Sequence, residues 1–478
     1  MGIRVSGISR LLLPLLPALA FAGAACVEEL PQAAPPRDQL YFPSGAALSP
    51  EGADGGQLLL VASSNFDLRY RAGVLHAFDV AAIDELVANA PPAPNCPAEA
   101  PRCSPAIIGS FGEALVGAVE IGSFAGEVAI GERAGAGAGA PLRAFVPVRN
   151  DETVVAVDVD PAAPGVLSCV RASGDRCVGP RFPRRDPFSV VAAEGNVYVG
   201  HVGRDNDDDP IGGIGAALVD APFWAGGEDG FAFIGLADEP IGGLAVGGCA
   251  DGNGARRCTL YATGRSVEDG VNPIYLFDFA PGQLRTSPVF ARNLFAQQRG
   301  FDTRGVAVST SGDWIYVASR FPSAVATVDV TTIERPASEG CVVPPGELVP
   351  PEGSCPGEAP ITEPRLATAN LVPAPAGTNA VVTIPRMLPD GTPSDLVVVT
   401  TEEGLWFYDT RTGLPAGSVE EVGTAPAAAV FRLEGAGARL YVPSFGHGTL
   451  AVVDVPDLFR PASARVVAIL GRRQEGAF

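Results

Sequence analysis

Few side chains in this sequence could do chemistry, and their types narrow the field. There are three histidines, His76, His201 and His447, nine cysteines and no lysine; all 33 basic residues are arginine. Without lysine there is no Schiff base and no P-loop. A Ser-His-Asp triad would have to use one of the three histidines. His76 sits among alternating apolar residues and reads as structural, whereas His447 lies in an exposed Gly446-His447-Gly448 turn. No Gly-x-Ser-x-Gly elbow occurs. Paired-carboxylate hydrolysis stays open, because acidic residues are plentiful and a sequence does not give their separations. The densest acidic motif is Asp205-Asn206-Asp207-Asp208-Asp209. Carboxylates at Asp205, Asp207 and Asp209 alternate as they do at the start of an oxygen-lined calcium loop. The glycine and distal glutamate of such a loop are missing and Pro210 follows, so a solvated acidic loop is the stronger reading. No cofactor is expected, with calcium the one candidate.

Eight cysteines fall into four close pairs: Cys96/Cys103, Cys169/Cys177, Cys249/Cys258 and Cys341/Cys355. No pair has zinc-knuckle spacing and no Cys-x-x-Cys-His occurs, so local disulfides are expected rather than metal or haem. Disulfides persist in oxidising compartments. The N-terminus agrees. Arg4 and Arg10 precede a short apolar stretch over residues 11–22 and the small residues Gly23-Ala24-Ala25, which reads as an export signal over 1–25. Gly23-Ala24-Ala25-Cys26 resembles the bacterial lipobox, in which the cysteine becomes the lipidated first residue; Gly23 departs from the leucine usual there. The alternative is ordinary cleavage near Ala24, leaving Cys26 a free thiol. The odd cysteine count favours lipid at Cys26. Residues 26–37 are then a Pro-rich tether, and 38–478 the folded part.

Composition excludes more. The formal charge is −21, and an acidic chain with no basic cluster argues against nucleic acid and against docking on anionic lipid. Membrane contact is expected through the N-terminal lipid only, and a monomer is expected.

Seven short β-type runs close on an aspartate and must position whatever site exists. The aspartates are Asp79, Asp158, Asp220, Asp278, Asp329, Asp409 and Asp454. Most are preceded by a second apolar run. A repeated β unit of this size predicts an all-β, seven-bladed β-propeller with four antiparallel strands, a to d, per blade. The aspartates are expected to accept hydrogen bonds from the turn that follows each strand. Leu40-Tyr41-Phe42 is expected to pair with the last blade and lock the ring.

Ile315-Tyr316-Val317-Ala318-Ser319 followed by Ala326-Thr327-Val328-Asp329 resembles the YVTN-type repeat of bacterial seven-bladed propellers, and 196–200 and 439–443 are similar. The resemblance implies the fold and an exported location: the cell envelope, as an outer-membrane lipoprotein facing the periplasm or the cell surface. It implies no single activity.

Strand order assigns loops to faces. The b–c and d–a connections share one rim; the a–b and c–d connections share the other, where all four cysteine pairs are expected. The polar b–c rim gathers Asn65, Asp67, Arg69, Asn150, Asp151, His201, Arg204, residues 205–209, Arg265, Arg320, Glu402, Glu403 and His447. Of these, Arg69, Arg204, Arg320 and His447 are the candidate binding residues, since ligand contacts concentrate on loops held by a rigid frame. The expected function is non-catalytic binding of an envelope protein or glycan. The alternative is a propeller enzyme, a lactonase, lyase or hydrolase, with a metal or carboxylates at the channel mouth.

Overall fold

Strand b of the first blade, Leu58–Ser63, has no polar face: all six residues are buried. Alternate residues of a strand point to opposite sides, so each side needs its own apolar partner. Leu58, Leu60 and Ala62 pack toward Val146, Val155 and Val157 of the second blade. Leu59 and Val61 pack toward Tyr441, Leu450 and Val452 of the seventh. A sheet sandwiched between two others on both faces is what makes these runs apolar throughout.

The structure is a computed structural model. It describes residues 33–52, 55–90, 105–133, 142–161, 165–183, 185–203, 212–236, 240–252, 255–265, 273–284, 286–293, 302–331 and 369–473. Among these, the strands form seven small antiparallel sheets of four strands in a seven-bladed propeller. The innermost strands are Pro43–Leu48, Ala129–Glu132, Pro187–Ala193, Ile241–Gly252, Thr303–Val308, Val381–Met387 and Val430–Glu434. Each pair of neighbouring blades shares one apolar cluster, and the seventh cluster joins the last blade to the first. No helix among the described residues is long and apolar enough to cross a membrane.

The ring closes differently from expectation. Leu40, Tyr41 and Phe42 are buried and pack against blade seven through Leu40 and Phe42, but they add no strand to it and hydrogen-bond to blade one: the Ser64 amide donates to the Phe42 carbonyl at 3.0 Å and the Tyr41 hydroxyl to the Ala72 carbonyl at 3.2 Å. Phe42 has φ 47° and Pro43 follows, so the extended run ends there. A strand pair across the seam comes from the insertion after strand c of blade one. That insertion holds a helix, Val80–Asn89, and a short strand, Ala106–Ile108. The short strand pairs in parallel with the outer strand of blade seven, Arg465–Leu470, matching Ile107 with Ile469.

Six of the seven strand-end aspartates split into two groups, and Asp220 stands apart. Asp79, Asp329 and Asp409 accept from following amides at 2.8–2.9 Å, as expected. Asp158, Asp278 and Asp454 instead accept from the residue directly opposite on strand b: Arg143 at 2.7 Å, Thr259 at 2.9 Å and Arg439 at 2.7 Å. Asp220 pairs with Arg133 of the preceding blade at 2.6 Å. Where the cross-strand partner is a donor it outcompetes the turn.

Candidate functional site

The b–c rim carries an aromatic platform. Phe66, in the b–c loop of blade one, is 48% exposed. Its ring meets Phe124, from the connection between blades one and two, at 5.3 Å, and Phe445, from the b–c loop of blade seven, at 5.4 Å, both edge to face. Phe42 lies beneath, 5.3 Å from Phe445. The backbone around the rings is strained. Phe42, Asn65, Leu68 and Phe124 have φ between 47° and 55°, a region that costs non-glycine residues roughly 1–2 kcal/mol each. Asn65 holds two of these turns together. Its amide donates to the Tyr70 carbonyl at 2.6 Å and the Ser123 hydroxyl at 2.9 Å, and its oxygen accepts from the Tyr70 amide at 3.1 Å.

Beside the platform lies an open groove of about 620 Å³. Glu402 and Glu403 enter from the b–c loop of blade six, Glu421 and Thr424 from the next connection, and His447 from the b–c loop of blade seven. Ile107 and Ile469, partners in the closing strand pair, form its apolar side. His447 is half-buried rather than exposed, with its two ring nitrogens 3.4 Å from the Thr424 amide and 3.2 Å from the Thr424 hydroxyl. Burial first, then the Arg473 charge, hold it below the ordinary histidine pKa, so it is neutral at neutral pH. Gly423, at φ 103°, lets the chain pass: a Cβ there would lie 2.3 Å from the Ser444 hydroxyl. Platform and groove share the turn Phe445-Gly446-His447.

No family model matches the sequence, and no curated protein matches it. Solved structures do. A protein from Bacteroides fragilis, provisionally named a 6-phosphogluconolactonase, aligns over 88% of this chain and 99% of its own with TM-score 0.50 and 11% identity. A provisionally named 6-phosphogluconolactonase from Bacteroides uniformis aligns over 82% and 92% with TM-score 0.45 and 11% identity. The Dos1 propeller aligns over 83% and 75% with TM-score 0.43 and 9% identity. At such identities the likeness is one of fold.

Of the candidate binding residues, His447 lines the groove. Arg69 is paired with Asp67 of its own loop at 2.6 Å, one residue from Leu68 of the platform loop. Arg320 is exposed on the b–c loop of blade five, its amide bonded to the Asp302 carbonyl at 2.8 Å. Arg204, Asp205, Asp207 and Asp209 lie outside the described residues, as do Cys26, Cys96, Cys103, Cys341 and Cys355. Two rim assignments are corrected. Asn65 is buried and anchors its loop. His201 is fully buried at the end of a strand, edge-on to Phe182 and Phe233.

Two cysteine pairs are disulfides, Cys169–Cys177 and Cys249–Cys258, with Cα separations of 5.1 and 4.0 Å. Cys249–Cys258 bridges strands a and b of blade four, on the expected rim. Cys169–Cys177 does not lie there. Strand d of blade two, Leu167–Cys169, starts soon after strand c, so Cys169 ends that strand and the link sits in the d–a connection. Glu194 approaches the second disulfide, but oxidised sulfurs offer no thiolate to a metal.

The platform phenylalanines went unnoticed in the sequence, though a signal was present. Ser63-Ser64-Asn65-Phe66, Ser444-Phe445 and Ser319-Arg320-Phe321 each place a phenylalanine one to three residues past the serine that closes strand b. An aromatic entering a polar loop directly after a strand is an exposed-ring pattern.

Proposed function

We propose that this chain is an exported, lipid-anchored binding propeller of the bacterial cell envelope whose ligand is a glycan seated on the b–c rim. The observation that carries this reading is the Phe66–Phe124–Phe445 platform. Turning Phe66 inward would be worth about 1.5–3 kcal/mol; instead the ring is half-exposed and the backbone around it is strained, a combination that concentrates at ligand-facing sites. A ring face carries negative charge density, and the apolar C–H face of a pyranose complements it. The adjoining groove adds glutamates, acceptor-only when ionised, for sugar hydroxyls. The lipid on Cys26 and the tether over 26–37 would hold this rim within reach of envelope polymers.

The test is calorimetric titration of the purified full chain with saccharides released from peptidoglycan and lipopolysaccharide. Phe66→Ala and Phe445→Ala should each weaken binding about tenfold, and Phe66→Ala should scarcely change the melting temperature. If no saccharide binds, while an envelope peptide binds and is lost in Phe66→Ala, the ligand is protein.

A second reading rests on the groove alone. Three glutamates around a neutral histidine are the parts of a general acid–base site, which suits a lactonase, lyase or hydrolase. It requires turnover of a lactone or glycan that Glu402→Gln and His447→Gln abolish and Phe66→Ala leaves.

A further inference from the structure

Nearer the ring axis, the same rim carries a second cluster. Phe188 is the second residue of the innermost strand of blade three, Pro187–Ala193. Three guanidiniums gather over its ring: Arg149 at 5.6 Å, Arg265 at 5.4 Å and Arg304 at 5.7 Å from the centroid. They come from blades two, four and five, so four blades converge on one ring. Each such contact is attractive, but the cations also repel one another, and something must offset that.

The carboxylates present do so only in part. Arg149 forks onto Asp186, with one contact at 2.8 Å. Asp302 is shared: Arg265 donates to it at 2.5 Å, and Arg304 at 2.7 and 3.1 Å. Arg320 sits on the next loop, its amide on the Asp302 carbonyl. Among the described residues, four arginines therefore face two aspartates, a local surplus of positive charge there in a chain of formal charge −21. Glu127 lowers this surplus little: its carboxylate is turned to the Val190 amide at 3.1 Å. Burial first, then the charge of Arg265, hold the Arg304 guanidinium below its ordinary pKa, and Arg320 adds in the same direction. A cation excess around one ring, with Arg265 and Arg304 half-buried and their guanidiniums held by Asp302, is a preformed receptor for an oxyanion.

We propose that this cluster is an oxyanion subsite at the channel mouth, taking the carboxylate or phosphoryl group of a ligand. It stands whether or not the neighbouring platform binds sugar. Docking one anion there would offset the cation excess of the described residues and reduce their mutual repulsion.

The experiment titrates the full chain with inorganic phosphate and with malonate, at constant ionic strength made up with chloride. Saturable binding of at least one probe, tighter than chloride, is expected. Phosphate alone identifies a phosphoryl site, malonate alone a carboxylate site, and both a general oxyanion site. Arg304→Gln should weaken the bound probe about tenfold, as loss of a charge-assisted bond. Arg320→Gln, an exposed loop change that leaves folding intact, should weaken it about threefold. Arg460→Gln, on another connection and 85% exposed, should leave it unchanged. Should Arg304→Gln fail to fold, Arg320→Gln decides. Neither probe exceeding chloride, or binding indifferent to the Arg320 change, overturns the proposal.

Discussion

The rings of Phe66 and Phe445 meet edge to face, 5.4 Å between centroids, so the b–c loops of the first and last blades form one surface. Asn65 sets the position of the first ring. Asn65→Ala would leave the Tyr70 carbonyl and the Ser123 hydroxyl without their donor, and put alanine at φ 51°. Together these should cost about 2–4 kcal/mol in urea unfolding. Asn65→Gly keeps the backbone conformation and loses only the hydrogen bonds, so it should cost distinctly less. Equal losses in the two variants would show that the left-handed turn is unstrained.

Two buried groups make stability depend on pH in opposite directions. Burial pushes His76 down to about 3, against an opposing contact with the Val61 backbone; unfolded, it titrates near 6.5. Between those values only the unfolded chain takes up the proton, so stability falls as pH drops from about 6.5 toward 3, by on the order of a few kcal/mol. Glu127 is pushed up to about 7 by burial, opposed by the Val190 amide. From about 4.5 to 7 it is the folded chain that holds the proton, so stability falls as pH rises through that window. Melting temperatures at pH 5 and pH 7.5 separate the two. His76→Leu should lessen the loss on acidification, and Glu127→Gln should lessen the loss on going to pH 7.5.

Architecture was legible in the sequence because it is written in a repeated pattern: seven apolar runs ending on aspartate, with strands doubly buried between neighbours. In blade five the two repeat runs, 315–319 and 326–329, fall within strands b and c, Trp314–Ser319 and Ala324–Asp329. What failed to show was anything set by contacts between distant segments. The closing strand Ala106–Ile108 is three residues long and carries no pattern of its own. The rim of Cys169–Cys177 depended on whether three residues make a strand or a loop. The platform and the Phe188 cluster draw on residues that are ordinary one at a time; only ring closure brings them together.

The disulfides brace both rims, and peptide mapping without reduction should show it. Links Cys169–Cys177 and Cys249–Cys258 are seen here; spacing predicts Cys96–Cys103 and Cys341–Cys355 as well. Each closes a short loop, and removing Cys169–Cys177 by a double alanine change should cost roughly 2–3 kcal/mol. A crossed link between different pairs contradicts the local framework.

Lipid at Cys26 predicts fractionation. The wild-type chain should partition into detergent with the envelope, and Cys26→Ser should release it into the soluble fraction with the fold unchanged. A wild-type protein that is soluble, with an unmodified Ala25 at its mature N-terminus, excludes the anchor.

Ring closure can be tested at Phe111. This side chain is 2% exposed and packs 4.7 Å from Phe78, beneath the parallel strand whose Ile108 carbonyl accepts from the Gly471 amide at 2.9 Å. It belongs to the apolar cluster that unites the first and seventh blades. Phe111→Ala should cost about 3–5 kcal/mol as a core cavity. If the parallel strand is what holds the ring shut, amide exchange should quicken together in Leu58–Ser63 and Thr449–Val455, the strands on the two sides of the seam. A change of the same size that loosens only residues 106–121 would mean that the cluster alone closes the ring, with the added strand merely covering an edge.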